Sequence, residues 1–523
     1  MKTVVRWEIF ELEYSGKLEG NPFLDYHIYA EFEGEHETKK VEGFYDGAGI
    51  YRVRFMPSFE GRYKYHVYGT FSKESYEGEI QVTAPVNTNN HGPVGVVEKR
   101  YLEYVDGSPY YSVGTTCYAW IHQPEEIQKE TLETLQQSCF NKIRFWLFPK
   151  YYQYNLKEPV MYPYKRGIKR GQDPKRLEKH LDMKFHTDAK IEDITDFDFY
   201  DFNEEFFQHV DRQISRLCGL GIEADIILMH PYDKWGFANM TRECDLVYIR
   251  YVVARYGAYR NVWWSLANEY DLMTKTEQDW EEIAAAIKEC DCYGRLTSIH
   301  NCMKFYDYSR DWITHCSMQR IDLYRHVEST EEYLELYNKP VVWDEIAYEG
   351  NIEMGWGNIA GEELVRRFWE ASLRGGYAGH GETYVHEKDI LWWSHGGILH
   401  GNSEPRIDFL KKILEETPGK YLKNSIGISD EVVAIPYTTA TKDFNPWIGP
   451  KQYYDYEIHY YGFGRPSYRD FDLPEDSQYK IEVIDTWNMT VTDMGIHSGY
   501  TRVLLPAKQY MAVRLIKQQS SLI

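Results

Sequence analysis

The feature that most constrains this chain is a change of hydrophobic period, made twice. Over roughly the first 85 residues, apolar and polar side chains alternate with period two, as in Tyr26-His27-Ile28-Tyr29-Ala30-Glu31-Phe32 and Tyr51-Arg52-Val53-Arg54-Phe55. Turn signals at Asp46-Gly47, Pro57-Ser58 and Glu60-Gly61 separate the runs. Short alternating strands at this spacing predict an antiparallel sandwich of immunoglobulin type. From about Tyr110 the pattern becomes apolar strands alternating with amphipathic helices, which predicts eight strand–helix units and a parallel barrel. After Lys423 the period-two alternation returns, at Tyr454–Tyr460, Lys480–Ile484 and Met511–Leu515. The expected fold class is multidomain α/β. An immunoglobulin-like sandwich (1–88) precedes a (β/α)8 TIM barrel (94–421), and an all-β sandwich (424–523) follows it. A length of 523 residues suits this division, since single cores stop growing at roughly 250–300 residues.

Charge and composition exclude several classes. Lys and Arg number 59 against 81 Asp and Glu, a net charge of −22. That field repels nucleic acid and anionic membranes alike, and no basic stripe offsets it. No apolar run is long enough to span a bilayer. Glu8 interrupts the N-terminus before a signal segment develops, so a cytoplasmic protein is expected. The eight cysteines lie between 117 and 316 without a CxxC pair, a pattern of reduced thiols. Nothing in the sequence argues against a homo-oligomer.

In a barrel the chemistry sits just past each strand. Strand two offers Arg144. Strand three ends at His230, with Tyr232 and Trp235 close behind. Strand four runs into Asn268-Glu269, strand five into His300. Strand six, placed at Trp312–His315, is followed by Gln319. Strand seven ends Asp344-Glu345, and strand eight leads to Glu382. Glu269 and Glu345 come from opposite sides of the mouth. Partial burial raises the pKa of one carboxyl, and a neighbouring cation holds the other ionised. That pairing is what retaining glycoside hydrolysis requires. Asp344 is the rival to Glu345, but strict period two sends it outward. Glu382 is the fallback. His230, Tyr232, Trp235 and His300 are candidates to line a sugar site, and Trp392 or Trp393 to stack on a sugar. The long segment 151–200 reads as an insertion on the catalytic face. With the loop 381–403 it would wall a cleft into a pocket, suited to trimming short oligosaccharides from their ends.

These residues, with MPSFEGRYKY at 56–65, NKIRFWLFP at 141–149, WWSLANEYD at 263–271 and VVWDEIAYEG at 341–350, resemble the clan A glycoside hydrolases. The chain is most similar to members with an N-terminal sandwich of unknown function, a barrel and a C-terminal sandwich. The resemblance implies that Glu269 is the acid/base and Glu345 the nucleophile. It further implies that Asn268 binds the substrate 2-hydroxyl and that Arg144 keeps Glu345 ionised. It implies a carbohydrate substrate and neither metal nor other cofactor. The family's His or Tyr after strand six, aimed at the nucleophile, has no clear match in His315 or Gln319. Two rivals remain at this point. A metal-dependent hydrolase would use His230, His300 and His315, although strand one lacks the paired histidines such barrels present. A non-catalytic sugar-binding protein would be expected to lack one of the two glutamates.

Overall fold

The computed structural model describes residues 2–87, 89–182, 196–320, 326–386, 391–417, 425–429 and 453–519. The supposed second linker near 420–425, apart from Ser425, lies outside them. So do residues 183–195 of the insertion, 387–390 of the loop after strand eight, and the boundaries at 88, 421 and 424.

The N-terminal residues form two sheets. One has five strands in the order Lys2–Val5, Tyr76–Thr83, Gly61–Gly69, Ile28–Glu33, Thr38–Glu42, and the other has three, Phe10–Ser15, Ile50–Phe55, Phe44–Tyr45. Alternate residues of both, including Phe10, Ile28, Phe32, Val53, Phe55 and Val67, meet in one core. The Phe32 and Phe55 rings stack at 3.9 Å between centroids.

In the middle stand eight parallel strands: Val113–Thr116, Lys142–Trp146, Glu223–Ile227, Val262–Ser265, Thr297–Ser298, Cys316–Gln319, Val341–Glu345 and Tyr377–His380. The first pairs with both the second and the eighth. The fifth and sixth meet through a single bridge, His300 to Ser317, so the barrel is nearly closed. The eight strands are buried along nearly their whole length, as a sheet covered on both faces must be, with Gln319 and Glu345 half-buried at the mouth. Helices follow most of them, including Glu125–Gln137, Glu204–Gly219, Arg242–Tyr256, Glu277–Cys290 and Gly361–Leu373.

Two expectations need correction. No helix follows the fifth strand in residues 299–315. Side chains take backbone amides there: Asp307, two residues back, accepts from Ser309 N–H at 3.1 Å, and Asp271, from the connection after the fourth strand, accepts from those of Cys302, Met303 and Lys304 at 2.6–2.8 Å. Such bonds compete with helix formation. The sixth strand begins at Cys316, after the apolar segment that sequence alone reads as a strand. Ile313 and His315 are buried before the ladder starts.

The C-terminal residues build a five-stranded sheet in the order Ser425–Ser429, Tyr456–Tyr461, Met511–Lys517, Tyr479–Asp485, Thr490–His497, beside the pair Tyr468–Asp472 and Tyr500–Leu504. Tyr460 stacks on Trp369 of a barrel helix at 5.4 Å. On the other side, Arg54 of the N-terminal sheets donates to both oxygens of Asp211, at 2.6 and 2.9 Å, on the helix Glu204–Gly219. Arg255 reaches the same carboxylate and also Asp46, at 2.8 Å. Burial opposes ionisation of Asp211, but the two guanidiniums hold it below the usual range. Removing the Asp211 charge leaves Arg54 with Glu11 and Arg255 with Asp46, so the loss is a part of the roughly 3–5 kcal/mol that an unpaired buried cation costs. Asp211→Asn is therefore expected to lower the thermal unfolding midpoint by several degrees. An unchanged midpoint would show that this contact does not fasten the N-terminal sheets to the barrel.

Candidate active site

At the C-terminal ends of the barrel strands lies a cavity of about 470 Å3. Its wall is aromatic, with Tyr118, Trp146, Tyr152, Tyr232, Tyr348, Trp356 and Trp393. Asn268, Glu269 and Glu345 also line it.

The fourth strand delivers Asn268 and Glu269. Glu269 sits in the left-handed region, φ 51 and ψ 54, a conformation that costs about 1–2 kcal/mol for a residue with a Cβ. Backbone bonds brace it on both sides: Asn268 N–H donates to Met229 O and Tyr270 N–H to His300 O, each at 3.0 Å. The seventh strand delivers Glu345 through a register shift. Met318 pairs with Trp343, while Gln319 pairs with Glu345. Asp344 is thus the extra residue of a bulge. The outward direction expected for Asp344 is corrected here. It is buried inside the barrel, 2.5 Å from Lys142 Nζ and bonded by the Ser317 hydroxyl. The bulge suspends alternation, so two successive acids turn inward, one to the barrel core and one to the cavity.

Each glutamate is held by a tyrosine. The Tyr118 hydroxyl donates to Glu345, and the Tyr232 hydroxyl donates to Glu269. Gln319 Nε2 adds a bond to Glu269 Oε1 at 2.9 Å. Asn268 Oδ1 lies 3.3 Å from both Tyr118 Oη and Arg144 Nη2, leaving its amide N–H groups toward the cavity. Burial pushes Glu269 above the usual carboxylate range, against the Tyr232 and Gln319 bonds. Burial, then the charge of Glu269, pushes Glu345 up to about 7, against Tyr118 and Arg144. The two titrate as a pair.

Arg144 lies beneath this floor, not along the cavity. Its guanidinium contacts Asp225 at 3.1 Å, Asp344 at 3.5 Å and Ser265 Oγ at 3.3 Å. Lys142 Nζ joins the same two aspartates. Of the other residues singled out in the sequence, Tyr232, Gln319 and Trp393 reach the cavity. His230 stacks on the Trp146 ring at 4.1 Å and bonds Phe148 O. Trp235 is buried edge-on to Tyr151 and Tyr162, its indole N–H on Glu158. Neither lines the cavity, because the insertion and Trp146 cover them. His300 is buried with Nδ1 4.0 Å from Glu345 Oε1. Trp392 is core, bonded to Thr115. Glu382 accepts backbone N–H groups of His400 and Gly401, which makes it a loop anchor. His315 packs on Trp263. Among the described residues no three His, Cys, Asp or Glu are grouped as around a metal ion.

Sequence reasoning passed over Tyr118, Tyr152, Tyr348 and Trp356. The available signal for Tyr118 was its place two residues past strand one, in Thr116-Cys117-Tyr118, where a strand-end polar residue belongs to the mouth. The other three lie deeper in loops, where spacing carries no such signal.

Residues 97–411 match the family model described as apiosidase-like, catalytic domain. Residues 3–70 and 446–516 match two domains of unknown function, DUF5060 and DUF5605. No curated protein matches the chain. Among solved structures, a candidate glycoside hydrolase from Bacteroides vulgatus is 32% identical, with 99% of this chain and 100% of that one covered and a TM-score of 0.84. A glycoside hydrolase family 5 protein from the same organism shares the fold at 15% identity and a TM-score of 0.57, over 82% of this chain and 94% of that one.

Proposed function

We propose, starting from a chain that belongs to the apiosidase-like family and is a glycoside hydrolase, that it works by double displacement with retention of anomeric configuration. The observation that carries this reading is the pair of buried glutamates, from strands four and seven, lining one sugar-sized cavity. In it Glu345 attacks the anomeric carbon and the glycosidic bond breaks, while Glu269 gives its proton to the leaving oxygen. Glu269 then takes a proton from water, which attacks the glycosyl-enzyme and releases the sugar. Burial favours the protonated acid that the first step needs. The Tyr118 hydroxyl stabilises the carboxylate form of Glu345, and Asn268 offers N–H groups to the sugar 2-hydroxyl. A cavity of this volume supports action at chain ends of short oligosaccharides. The unpaired state of all eight cysteines supports a reducing compartment.

Glu345→Gln is expected to keep the fold and lose about four orders of magnitude in turnover. Near wild-type rates on a panel of nitrophenyl glycosides, apiosides among them, would remove Glu345 from the mechanism. The first-formed product should carry the substrate's own anomeric configuration by NMR; the opposite anomer would mean inversion.

The pH dependence follows from the pair. Glu345 must be ionised to attack, and its carboxyl is pushed up to about 7. Activity, expressed as kcat/KM, should therefore rise with pH through an acid limb near neutrality, well above that of an ordinary glutamate. Tyr118→Phe removes a bond to the carboxylate form, so the limb should move higher still. A limb near pH 4 in the wild type, or one unmoved in Tyr118→Phe, would contradict this assignment.

A further inference from the structure

The seam between strands five and six is the least paired of the barrel, a single bridge from His300 to Ser317. Side chains supply what the ladder lacks there. Ser298 Oγ accepts from Ser317 N–H at 3.2 Å and donates to His315 O at 2.5 Å. Nearer the mouth, Asn301 meets both backbone groups of Gln319 with one amide. Its Oδ1 accepts from Gln319 N–H at 3.3 Å, and its Nδ2 donates to Gln319 O at 3.0 Å. A neighbouring strand would satisfy the same two groups. Asn301 is fully buried. The Tyr308 hydroxyl fixes it, 3.3 Å from Oδ1 while donating to Ser317 O at 2.5 Å.

Gln319, held in this way, stands between the two glutamates. Its backbone pairs with Glu345 across the register shift of strand seven. Its side chain reaches the acid past strand four instead, with Nε2 donating to Glu269 Oε1 at 2.9 Å. Tyr232 takes the second oxygen of that carboxyl. Strand six therefore serves Glu269, while Glu345 has its hydroxyl partner in Tyr118, past strand one. The titratable groups that face Glu269 are Lys150 and Tyr152 after strand two, Tyr232 after strand three, Asp271 after strand four, Cys302 after strand five and Glu345 on strand seven. Burial first pushes the Tyr152 and Tyr232 hydroxyls and the Cys302 thiol up, and Lys150 down. Gln319 differs in kind, because it holds the carboxyl through a donor that does not titrate.

We propose that Gln319, braced by Asn301, is a positioning residue for the acid/base, which holds the Glu269 carboxyl in place relative to Glu345 and favours its carboxylate form. The proposal rests on the reading of Glu269 as acid/base. The carboxylate is the form that takes a proton from water in the second step, and a donor to Oε1 stabilises it. The same bond fixes the direction in which the carboxyl faces, and small displacements of a reacting group are costly. Asn301 acts at one remove, through the Gln319 backbone.

Gln319→Met keeps the length of the side chain and removes the donor; Gln319→Leu serves if the Met variant does not fold. The alkaline limb of kcat/KM on a nitrophenyl glycoside, where Glu269 loses its proton, should rise by about one pH unit. kcat should fall about tenfold with KM near wild type, since geometry and not sugar binding is lost. Asn301→Ala should move the same limb in the same direction by less. Ionisation is read without turnover by carbodiimide coupling of glycine ethyl ester across pH 4–10, followed at Glu269 by tandem mass spectrometry. The Glu269 midpoint should rise with the limb. A lowered kcat with limb and midpoint unmoved would reduce Gln319 to a structural part and overturn the proposal. A raised KM at unchanged kcat would overturn it too, making Gln319 a sugar contact. If the midpoint rises while the wild type turns over no glycoside, the acid/base reading fails and the brace on Glu269 stands.

Discussion

Four charged side chains inside the barrel carry everything above them. Lys142 and Arg144 come from one strand, Asp225 from the next and Asp344 from the seventh. Barrel interiors are ordinarily filled with branched apolar residues. Here two cations and two anions fill one layer, all nearly inaccessible to water. Such a set is tolerable only when every member is matched. Asp344 shows the match: burial disfavours its charge, yet Lys142 and Arg144 hold its carboxyl far below the usual range. The set also transmits position upward. Arg144 extends from it to Asn268 Oδ1, which orients that amide toward the cavity. Asp344 extends from it along the chain to Glu345, through the bulge that its own burial requires.

Although Arg144 is matched by two aspartates, its guanidinium still draws Glu345 down, beside the directed bond from Tyr118. The cavity meanwhile surrounds Glu269 and Glu345 with rings that cannot solvate charge. Both carboxyls rise, and each raises the other when ionised. Two tyrosine hydroxyls and one glutamine amide pull in the opposite direction with directed bonds. Burial and mutual repulsion thus oppose two charges at this site, while the directed bonds favour the carboxylate forms.

The large features were legible because they are periodic. A period of two at both ends and alternating strands and helices between them showed the order of sheets and barrel. The rule that chemistry lies past strand ends brought Asn268, Glu269, Tyr232, Gln319 and Glu345 to notice, and the structure gathers all five at one cavity. The same rule put forward His230, Trp235 and His300, which lie under the wall instead. Sequence position tells which end of the barrel a residue occupies, not its depth, and depth here is set by the 151–182 segment and by Trp146. A bulge is invisible to period counting, so Asp344 was sent the wrong way. Tyr118 lies two residues past strand one, where a tyrosine reads equally well as core.

The backbone at the mouth has the same character as its electrostatics, unfavourable locally and fixed by its neighbours. Glu269 and Ala347 both adopt positive φ, at 51° and 63°. A residue held this way persists only where its surroundings over-determine it. Around Glu269 they do: Met229 and His300 carbonyls secure the residues on either side, and Asp271 gathers three amides of the loop after strand five. That same anchoring keeps Cys302 at the cavity edge and leaves the fifth connection without a helix. Asp271, two residues downstream of Glu269, both gathers the amides of the irregular connection and adds its charge to the upward push on Glu269. What looks like a departure from barrel regularity between strands five and six is thus tied, through Asp271, to the surroundings of Glu269.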